Sequence, residues 1–276
     1  MAQIKKTQSE VSEAYATFGE DFINKRIKSE FPIRAKVHSL MHKSIIRIIP
    51  GDCESAIDLG CGDGSLTFDL FDSGLSNVRG ADVSKSNIQR AKQSQTKRNY
   101  APGQINFDVQ DVTCTKYKDK SFDISITSHV LEHLEDFDSG LREQKRLAKK
   151  YVIVALPTAW SPLSWTLLGG GNYWKHGKFG FIRLTVGLLR VIVNFVLNRI
   201  GVDEKNYSGL SNVPHIFFFP KRVARKMQCD EWVVIKMYPQ VNGLPWNTQS
   251  IRILSHNSIS GLGTIFILTR RRITEQ

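Results

Sequence analysis

The stretch AIDLGCGDGSL, residues 56–66, decides the fold class of this chain. A short apolar run contains Asp58 near its end, and three glycines then follow at every second position. Because glycine has no Cβ, such a loop can adopt positive φ and lets a ligand lie almost against the main chain. A helix that begins near Ser65 would point its unpaired backbone N–H groups at the same loop. The stretch therefore predicts a strand, a ligand-binding turn and a helix.

Strands and helices alternate downstream of this loop. Four further strands are predicted at residues 77–83, 105–109, 122–128 and 151–156, and helical segments at residues 85–97 and 137–149 lie between them. This alternation indicates a mostly parallel sheet with helices on both faces. Ligands bind such sheets at the carboxyl ends of the strands. Polar residues fall at these ends, namely Asp58, Asp82, Asp111 and Ser128.

The glycine spacing is Gly-x-Gly-x-Gly, which differs from the Gly-x-Gly-x-x-Gly of a dinucleotide-binding turn. Together with the polar strand ends, it resembles class I S-adenosylmethionine-dependent methyltransferases, closely over residues 40–160 and more loosely over 213–270. The resemblance implies an α/β fold with a doubly wound, mostly parallel, seven-stranded Rossmann-like sheet. Strands predicted at residues 232–238 and 263–269 would form its antiparallel C-terminal pair. N-terminal helices and a helical insertion would complete the fold.

The resemblance also implies which residues contact S-adenosylmethionine. The glycine loop would line the methionine moiety, the second strand would end at the ribose, and the third would end at the adenine ring. The residues so assigned are Asp58, Gly60, Cys61, Gly62, Gly64, Asp82, Val83, Asp111, Val112 and Ser128. Taken singly, each aspartate has the simpler interpretation of a helix cap.

Methyl transfer to a hydroxyl group needs an aligned acceptor and a base that removes the proton. Candidate bases are His129 and His133 in the segment HVLEHL, and His215 later in the chain. The VLEHL run is similar to ubiquinone-biosynthetic O-methyltransferases and to small-RNA 2′-O-methyltransferases, in which a Glu-x-x-Glu-His segment and a later His hold a divalent metal. Here His129 stands at the first Glu position, so we expect no metal. The alternatives are a metal held by Glu132, His133 and His215, or a purely structural role for the run.

Charge is distributed unevenly along the chain. The formal net charge is +12, yet residues 1–143 hold 19 Lys and Arg against 21 Asp and Glu. Residues 144–276 hold 19 against 5 and therefore carry a net charge of +14. Such a half is typical of a protein with an anionic partner, such as a membrane surface, a nucleic acid or a phosphorylated substrate. A merely solvated basic face is the alternative interpretation.

The insertion at residues 158–212 combines aromatic turns with a long apolar segment, residues 181–200. Five residues of that segment interrupt its apolar character at helical spacing and form one narrow stripe, namely Arg183, Gly187, Arg190, Asn194 and Asn198. A transmembrane helix is disfavoured because Arg190 lies at its middle. Two interpretations stay open. One is a buried core or lid helix with the stripe outward, and the other is an interfacial helix whose apolar face lies in the acyl boundary of a membrane.

The predicted organisation has three parts: a helical cover at residues 1–50, a methyltransferase domain at 51–157 and 213–276, and the insertion at 158–212. The four cysteines form no C-x-x-C pair, and the first 30 residues lack the apolar core of a signal peptide. We therefore expect a cytoplasmic protein with peripheral contact to an anionic membrane.

The predicted function is O-methylation of a hydrophobic or membrane-associated small molecule. An RNA methyltransferase is the first alternative, but an RNA-binding surface would interleave basic with aromatic residues rather than present an apolar insertion. A non-catalytic protein that binds S-adenosylmethionine is the second alternative.

Overall fold

The computed structural model describes residues 32–101, 103–170, 180–204, 215–240 and 263–271. The described residues divide into two compact units. The first contains Ile49–Thr127, Asp138–Lys149 and the part of the chain before Lys43. The second contains Lys43–Ile48, Ser128–Phe137 and the part from Lys150 onward. The predicted three-part organisation follows other boundaries and stays a prediction.

The first part of the chain contains the predicted strands and helices, which alternate as far as β3. In chain order the elements are α1 Pro32–Ile46, β1 Ser55–Leu59, α2 Ser65–Asp72, β2 Asn77–Asp82, α3 Lys85–Lys97, β3 Ile105–Val109, β4 Phe122–Ser128 and α4 Phe137–Leu147. Every residue of β1 is buried, which is typical of a parallel strand covered on both faces. The side chain of Ser84 caps α3 by accepting a hydrogen bond from the backbone N–H of Asn87.

The second part of the chain is more irregular. Its elements are β5 Ala148–Pro157, α5 Pro162–Leu168, α6 Gly180–Val196, β6 Gly201–Asp203, β7 Ile216–Phe218, α7 Pro220–Met227, β8 Trp232–Gln240 and β9 Gly263–Arg270. Strands β6 and β7 form a small antiparallel sheet. A core cluster in this part joins α5, α6 and the small sheet through Leu167, Val191, Val202 and Phe217.

Seven strands form one sheet in the order β3-β2-β1-β4-β5-β9-β8. Strand β1 pairs in parallel with β2 and β4, and β2 pairs in parallel with β3. Strand β9 pairs antiparallel with both β5 and β8. The predicted fold class, a mostly parallel seven-stranded sheet with an antiparallel C-terminal pair, is confirmed.

The segment after β4 is not a regular helix. His129 has φ of +57°, and residues Leu131–His133 form a short 3₁₀ turn before α4 begins. His129 and His133 therefore do not share a helix face.

Helix α6 lies with its polar stripe toward the protein, so the interpretation as a core helix with the stripe outward is wrong. Gly187 is buried, and Arg190 donates hydrogen bonds to Glu204 and to the carbonyl of Asp203. Apolar side chains such as Leu189 and Val196 are exposed instead. Within the described part of the chain, no helix is both long and apolar enough to cross a membrane.

Replacing Gly187 with alanine should destabilise the protein, because a Cβ at this position would overlap the backbone carbonyl of Trp165 in α5. The expected loss in the free energy of unfolding is about 1–3 kcal/mol, although alanine is the better helix former by about 1 kcal/mol. The exposed Val186→Ala is the matched control and should change stability by less than about 0.5 kcal/mol. Denaturant unfolding followed by circular dichroism measures both, and a stabilised Gly187→Ala variant would contradict this packing.

Candidate active site

The glycine loop between β1 and α2 lies across the end of β2. Its three glycines, Gly60, Gly62 and Gly64, have φ of +76°, +56° and +81°. The backbone N–H groups of Gly60 and Cys61 both donate to the carbonyl of Ala81, at 2.7 and 3.0 Å. Residues other than glycine rarely adopt these φ values, so the loop depends on glycine at all three positions.

Two of the glycines serve different purposes. A Cβ on Gly64 would lie 2.7 Å from the Phe107 ring, so the absence of a side chain there permits close packing of α2 against the sheet. Around the corresponding Cβ position of Gly62, no heavy atom of the described residues lies within 4 Å. Gly62 therefore faces open space beside a loop whose backbone a ligand can approach. The predicted contact of this loop with the methionine end of S-adenosylmethionine stays a prediction.

Asp82 holds the loop in place. One carboxylate oxygen accepts from the backbone N–H of Gly62 at 2.9 Å. The other accepts from the N–H of Ser84 at 2.8 Å and from the side-chain amide of Asn87 at 3.3 Å. Burial raises the pKa of this carboxyl group, although the hydrogen bonds from Ser84 and Gly62 oppose the rise. Asp82 thus connects the loop to the start of α3, and its predicted contact with a ribose stays a prediction.

Asp58 is buried within β1, where it accepts a hydrogen bond from the Thr67 hydroxyl at 2.7 Å. Burial raises its pKa to about 6, despite the opposing effect of the Thr67 hydrogen bond. The nearby Cys61 is also buried, and burial together with the neighbouring carboxylates keeps its pKa well above the usual range. Cys61 is therefore a neutral thiol in the loop and not a nucleophile.

The residues predicted to surround adenine follow β2 and β3. Val83 is half-buried and Val112 is buried. The carboxylate of Asp111 accepts from both the backbone N–H and the hydroxyl of Thr113, at 2.8 and 2.7 Å. This local turn is the geometry expected of an Asp that closes a loop. The contacts of these residues with adenine stay predictions.

The second unit contains a cluster of polar side chains just after Ser128, the last residue of β4. Nδ1 of His129 lies 3.0 Å from a carboxylate oxygen of Glu132, and Nε2 lies 2.6 Å from the side-chain oxygen of Gln240. Burial by itself would lower the pKa of His129, but the hydrogen bonds to Glu132 and Gln240 raise it above its usual value. Both ring nitrogens of His129 are thus engaged within the protein.

Gln240 was not identified from the sequence, because it lies 111 residues from His129 and beyond the end of the strand predicted at residues 232–238. Strand β8 extends to Gln240 and pairs it with Gly263 of β9. A Cβ on Gly263 would come within 2.6 Å of both the Gln240 side-chain oxygen and the Leu156 carbonyl. Gly263, the first residue of the strand predicted at residues 263–269, is a sequence signal that fits this close approach.

His133 and His215 lie together in the same unit. Their Nδ1 atoms are 3.4 Å apart, and their ring centroids are separated by 4.7 Å. His215 is buried and also packs against the Phe217 ring. Burial, with the adjacent His133 and His129, holds the pKa of His215 well below its usual range. His215 is therefore a neutral imidazole at neutral pH and can accept a proton.

Glu132, His133 and His215 form a group that could ligate a metal, with potential ligand atoms within 4.8 Å of one another. Among the described residues, no hydrogen-bond donor reaches the second carboxylate oxygen of the buried Glu132. Imidazole and carboxylate are common ligands of divalent transition metals. The expectation that no metal binds stays a prediction.

Asp58→Asn should stabilise the protein at neutral and alkaline pH. The folded pKa of about 6 exceeds the unfolded value, so the ionised carboxylate costs stability once the pH exceeds both. A shift of this size corresponds to at most about 3 kcal/mol.

The gain from Asp58→Asn should shrink as the pH falls through 6 and vanish below about pH 4, where Asp58 is protonated in both states. Denaturant unfolding of the wild type and of Asp58→Asn across this pH range measures the difference in their free energies of unfolding. A pH-independent difference would show that the carboxylate of Asp58 is not the cause.

Comparison with known proteins agrees with the resemblance to methyltransferases that the sequence indicated. A family model described as a methyltransferase domain matches residues 52–168. The chain is 31% identical over 137 residues to a ubiquinone biosynthesis O-methyltransferase from Pelagibacter ubique (strain HTCC1062), covering 50% of each protein. It is 28% identical over 92 residues to an ajmaline N-methyltransferase from Rauvolfia serpentina, covering 33% of this chain and 31% of that protein. The alignments thus span about half or less of these relatives' lengths.

Solved structures show the same fold. The crystal structure of magnesium protoporphyrin IX methyltransferase from Synechocystis PCC 6803 with bound S-adenosylmethionine superimposes with a TM-score of 0.60 at 15% identity. The superposition covers 98% of this chain and 100% of that one. A 1,6-didemethyltoxoflavin-N1-methyltransferase from Burkholderia thailandensis gives a TM-score of 0.58 at 11% identity, covering 98% and 93%. The chain is therefore similar to methyltransferase domains over residues 52–168, and it shares the fold of these solved methyltransferases.

Proposed function

We propose that this protein transfers the methyl group of S-adenosylmethionine to an oxygen atom of a hydrophobic or membrane-associated small molecule. The observation that carries the proposal is the glycine loop, in which Gly62 faces open space while Asp82 fixes its backbone. When bound, the cofactor supplies a methyl group on a positively charged sulfur, which is already activated for displacement.

The chain's own residues would hold the cofactor at three strand ends. The backbone at Gly60, Gly62 and Gly64 accommodates the methionine end, and Asp82 keeps carboxylate lone pairs available for the ribose hydroxyls. Asp111 and Val112 would meet the adenine ring, the former as an acceptor for its amino group. The support for these roles is the resemblance together with the open cradle at Gly62.

His215 is the favoured base. An acceptor hydroxyl must lose its proton during methyl transfer, and a neutral imidazole can take it up. The low pKa keeps buried His215 unprotonated, although it also makes the ring a weaker base than a free imidazole, and His133 at 3.4 Å can share the proton. His129 is better suited to position Glu132, since both of its ring nitrogens already have partners.

The atom that accepts the methyl group in this proposal is oxygen rather than nitrogen. It is supported by the similarity to a ubiquinone biosynthesis O-methyltransferase, whereas other relatives are N-methyltransferases. A hydrophobic acceptor is supported by the apolar insertion. The basic second half of the chain would suit an anionic membrane and, as the alternative, an RNA substrate. We further propose a cytoplasmic location with peripheral membrane contact.

Gly62→Val should abolish binding of S-adenosylmethionine, because the new side chain would fill the cradle and resist a φ of +56°. Isothermal titration calorimetry with the methyl donor measures this. Gly74→Val is the matched control: Gly74 also has positive φ, +108°, and an open Cβ position. The control carries the same kind of backbone strain and should bind the donor like the wild type. Undiminished affinity of Gly62→Val would refute the loop's role.

His215→Ala should lower turnover by about 10²- to 10⁴-fold and leave the affinity for the methyl donor unchanged. The assay follows formation of S-adenosylhomocysteine with an alkyl-substituted catechol as the hydroxyl acceptor. His215→Gln is the control, because its amide keeps hydrogen bonding but takes up no proton. If His215 is the base, both variants fail alike; if its role is structural, glutamine restores much of the activity.

The pH profile and a chelator separate the base from a metal ligand. Since the pKa of His215 lies well below 6.5, wild-type turnover should persist at pH 6.5 and fall only in more acidic solution. EDTA should leave turnover intact. Activity that is lost with EDTA and restored by a divalent ion would instead make Glu132, His133 and His215 metal ligands. Turnover with RNA or amines but no hydroxyl compound would favour the other acceptor classes.

A further inference from the structure

Helix α6 exposes a broad apolar face, which only the exposed Thr185 interrupts among its described residues. Its most exposed large side chains are Phe181, Val196 and Leu189, at 79%, 74% and 62% of their full accessibility. The same face and the residue just after the helix carry Ile182, Val186, Ile192, Val193, Phe195 and Leu197, all of them exposed. Large contiguous apolar patches are rare on soluble monomers and mark sites of interaction.

The opposite side of α6 fixes this orientation. Gly187 allows the backbone of α5 to approach at Trp165, and Gly169 allows a similar contact with the Arg183 carbonyl. Val191 is fully buried in the cluster between these elements. Arg190 is paired with Glu204 at 2.7 Å. Turning the apolar face inward would break this ion pair and both close backbone contacts, so the exposed face is a built feature of the fold.

Positive charge borders the apolar face at the C-terminal end of α6. Arg222 of α7 lies 4.2 Å from the centre of the Phe195 ring and donates hydrogen bonds to the carbonyls of Phe195 and Arg199. The side chain of Arg199, which follows α6, is exposed, and so are those of Lys221 and Arg225 in α7. Helix α6 itself contains no acidic residue. Of the two acids in β6 and directly after it, Asp203 is exposed and Glu204 pairs with Arg190.

This combination selects one kind of partner. An anionic lipid bilayer offers an apolar acyl region and a layer of phosphate groups, which match the apolar face and its basic border. A second copy of the chain would match the apolar face only. In a symmetric dimer the same surface meets itself, and α6 offers no acidic residue that could pair with the basic border of a second copy.

We propose that α6 docks this protein on an anionic membrane, with its apolar face at the headgroup–acyl boundary and the basic border of Arg199 and α7 at the lipid phosphates. The inference rests on the proposed function only in that the acceptor is membrane-associated.

Vesicle co-sedimentation tests the docking surface, using the full chain without methyl donor or acceptor. The wild type should bind phosphatidylcholine vesicles that contain phosphatidylglycerol, bind pure phosphatidylcholine weakly, and release in high salt. Leu189→Glu should lower the partition coefficient about 10- to 100-fold, as expected for losing one buried leucine side chain. Ile235→Glu is the matched control, since Ile235 is a 49%-exposed apolar residue on β8. It should bind like the wild type.

Three results would overturn the proposal. The first is that the wild type binds neither vesicle type. The second is that Leu189→Glu and the wild type bind vesicles equally. The third is that the wild type self-associates in sedimentation velocity without binding vesicles, and that Leu189→Glu removes this self-association. Circular dichroism confirms that each variant is folded, and Val193→Glu provides a second substitution on the same face. Because neither donor nor acceptor is present, Gly62→Val should still bind vesicles. Docking and methyl transfer can therefore fail separately.

Discussion

The hydrogen bond from the Gly62 backbone N–H to the Asp82 carboxylate is the constraint on which the glycine loop depends. Three glycines with positive φ have little intrinsic preference for one path, and this bond, with the two N–H groups that donate to Ala81, selects it. The same carboxylate binds the N–H of Ser84 at the start of α3. One buried acid thereby sets the loop and helix positions together. A helix cap and a ligand-binding residue, the two interpretations of Asp82, are compatible in this geometry.

Buried acids in the two units illustrate different ways to tolerate a polar group away from water. Asp58 accepts a hydrogen bond from the Thr67 hydroxyl, and burial nevertheless raises its pKa to about 6. Glu132 has His129 beside one oxygen and no donor among the described residues at the other. Unsatisfied buried groups of this kind cost stability and are found where function requires them. We therefore regard Glu132, with His133 and His215, as the chemically most informative cluster of the second unit.

Helix α6 shows how a correct periodicity can leave orientation undecided. The stripe of Arg183, Gly187, Arg190, Asn194 and Asn198 was recognised from spacing alone. A polar stripe normally faces water, yet here glycine serves close packing and arginine serves an internal ion pair. What decides the direction is the presence of Trp165 and Glu204 on neighbouring elements. Neither partner is encoded in the helix itself.

The sequence by itself determined the sheet architecture, the glycine loop and the strand-end position of Asp82, because the sign of φ, a missing Cβ and hydrophobic periodicity are local properties. It also identified His133 and His215 as separate candidates. Only the tertiary structure decided that these two rings lie side by side, that Gln240 meets His129, and that α6 turns its apolar face outward. Each of these depends on contacts between segments far apart in the chain, whose geometry no local pattern records.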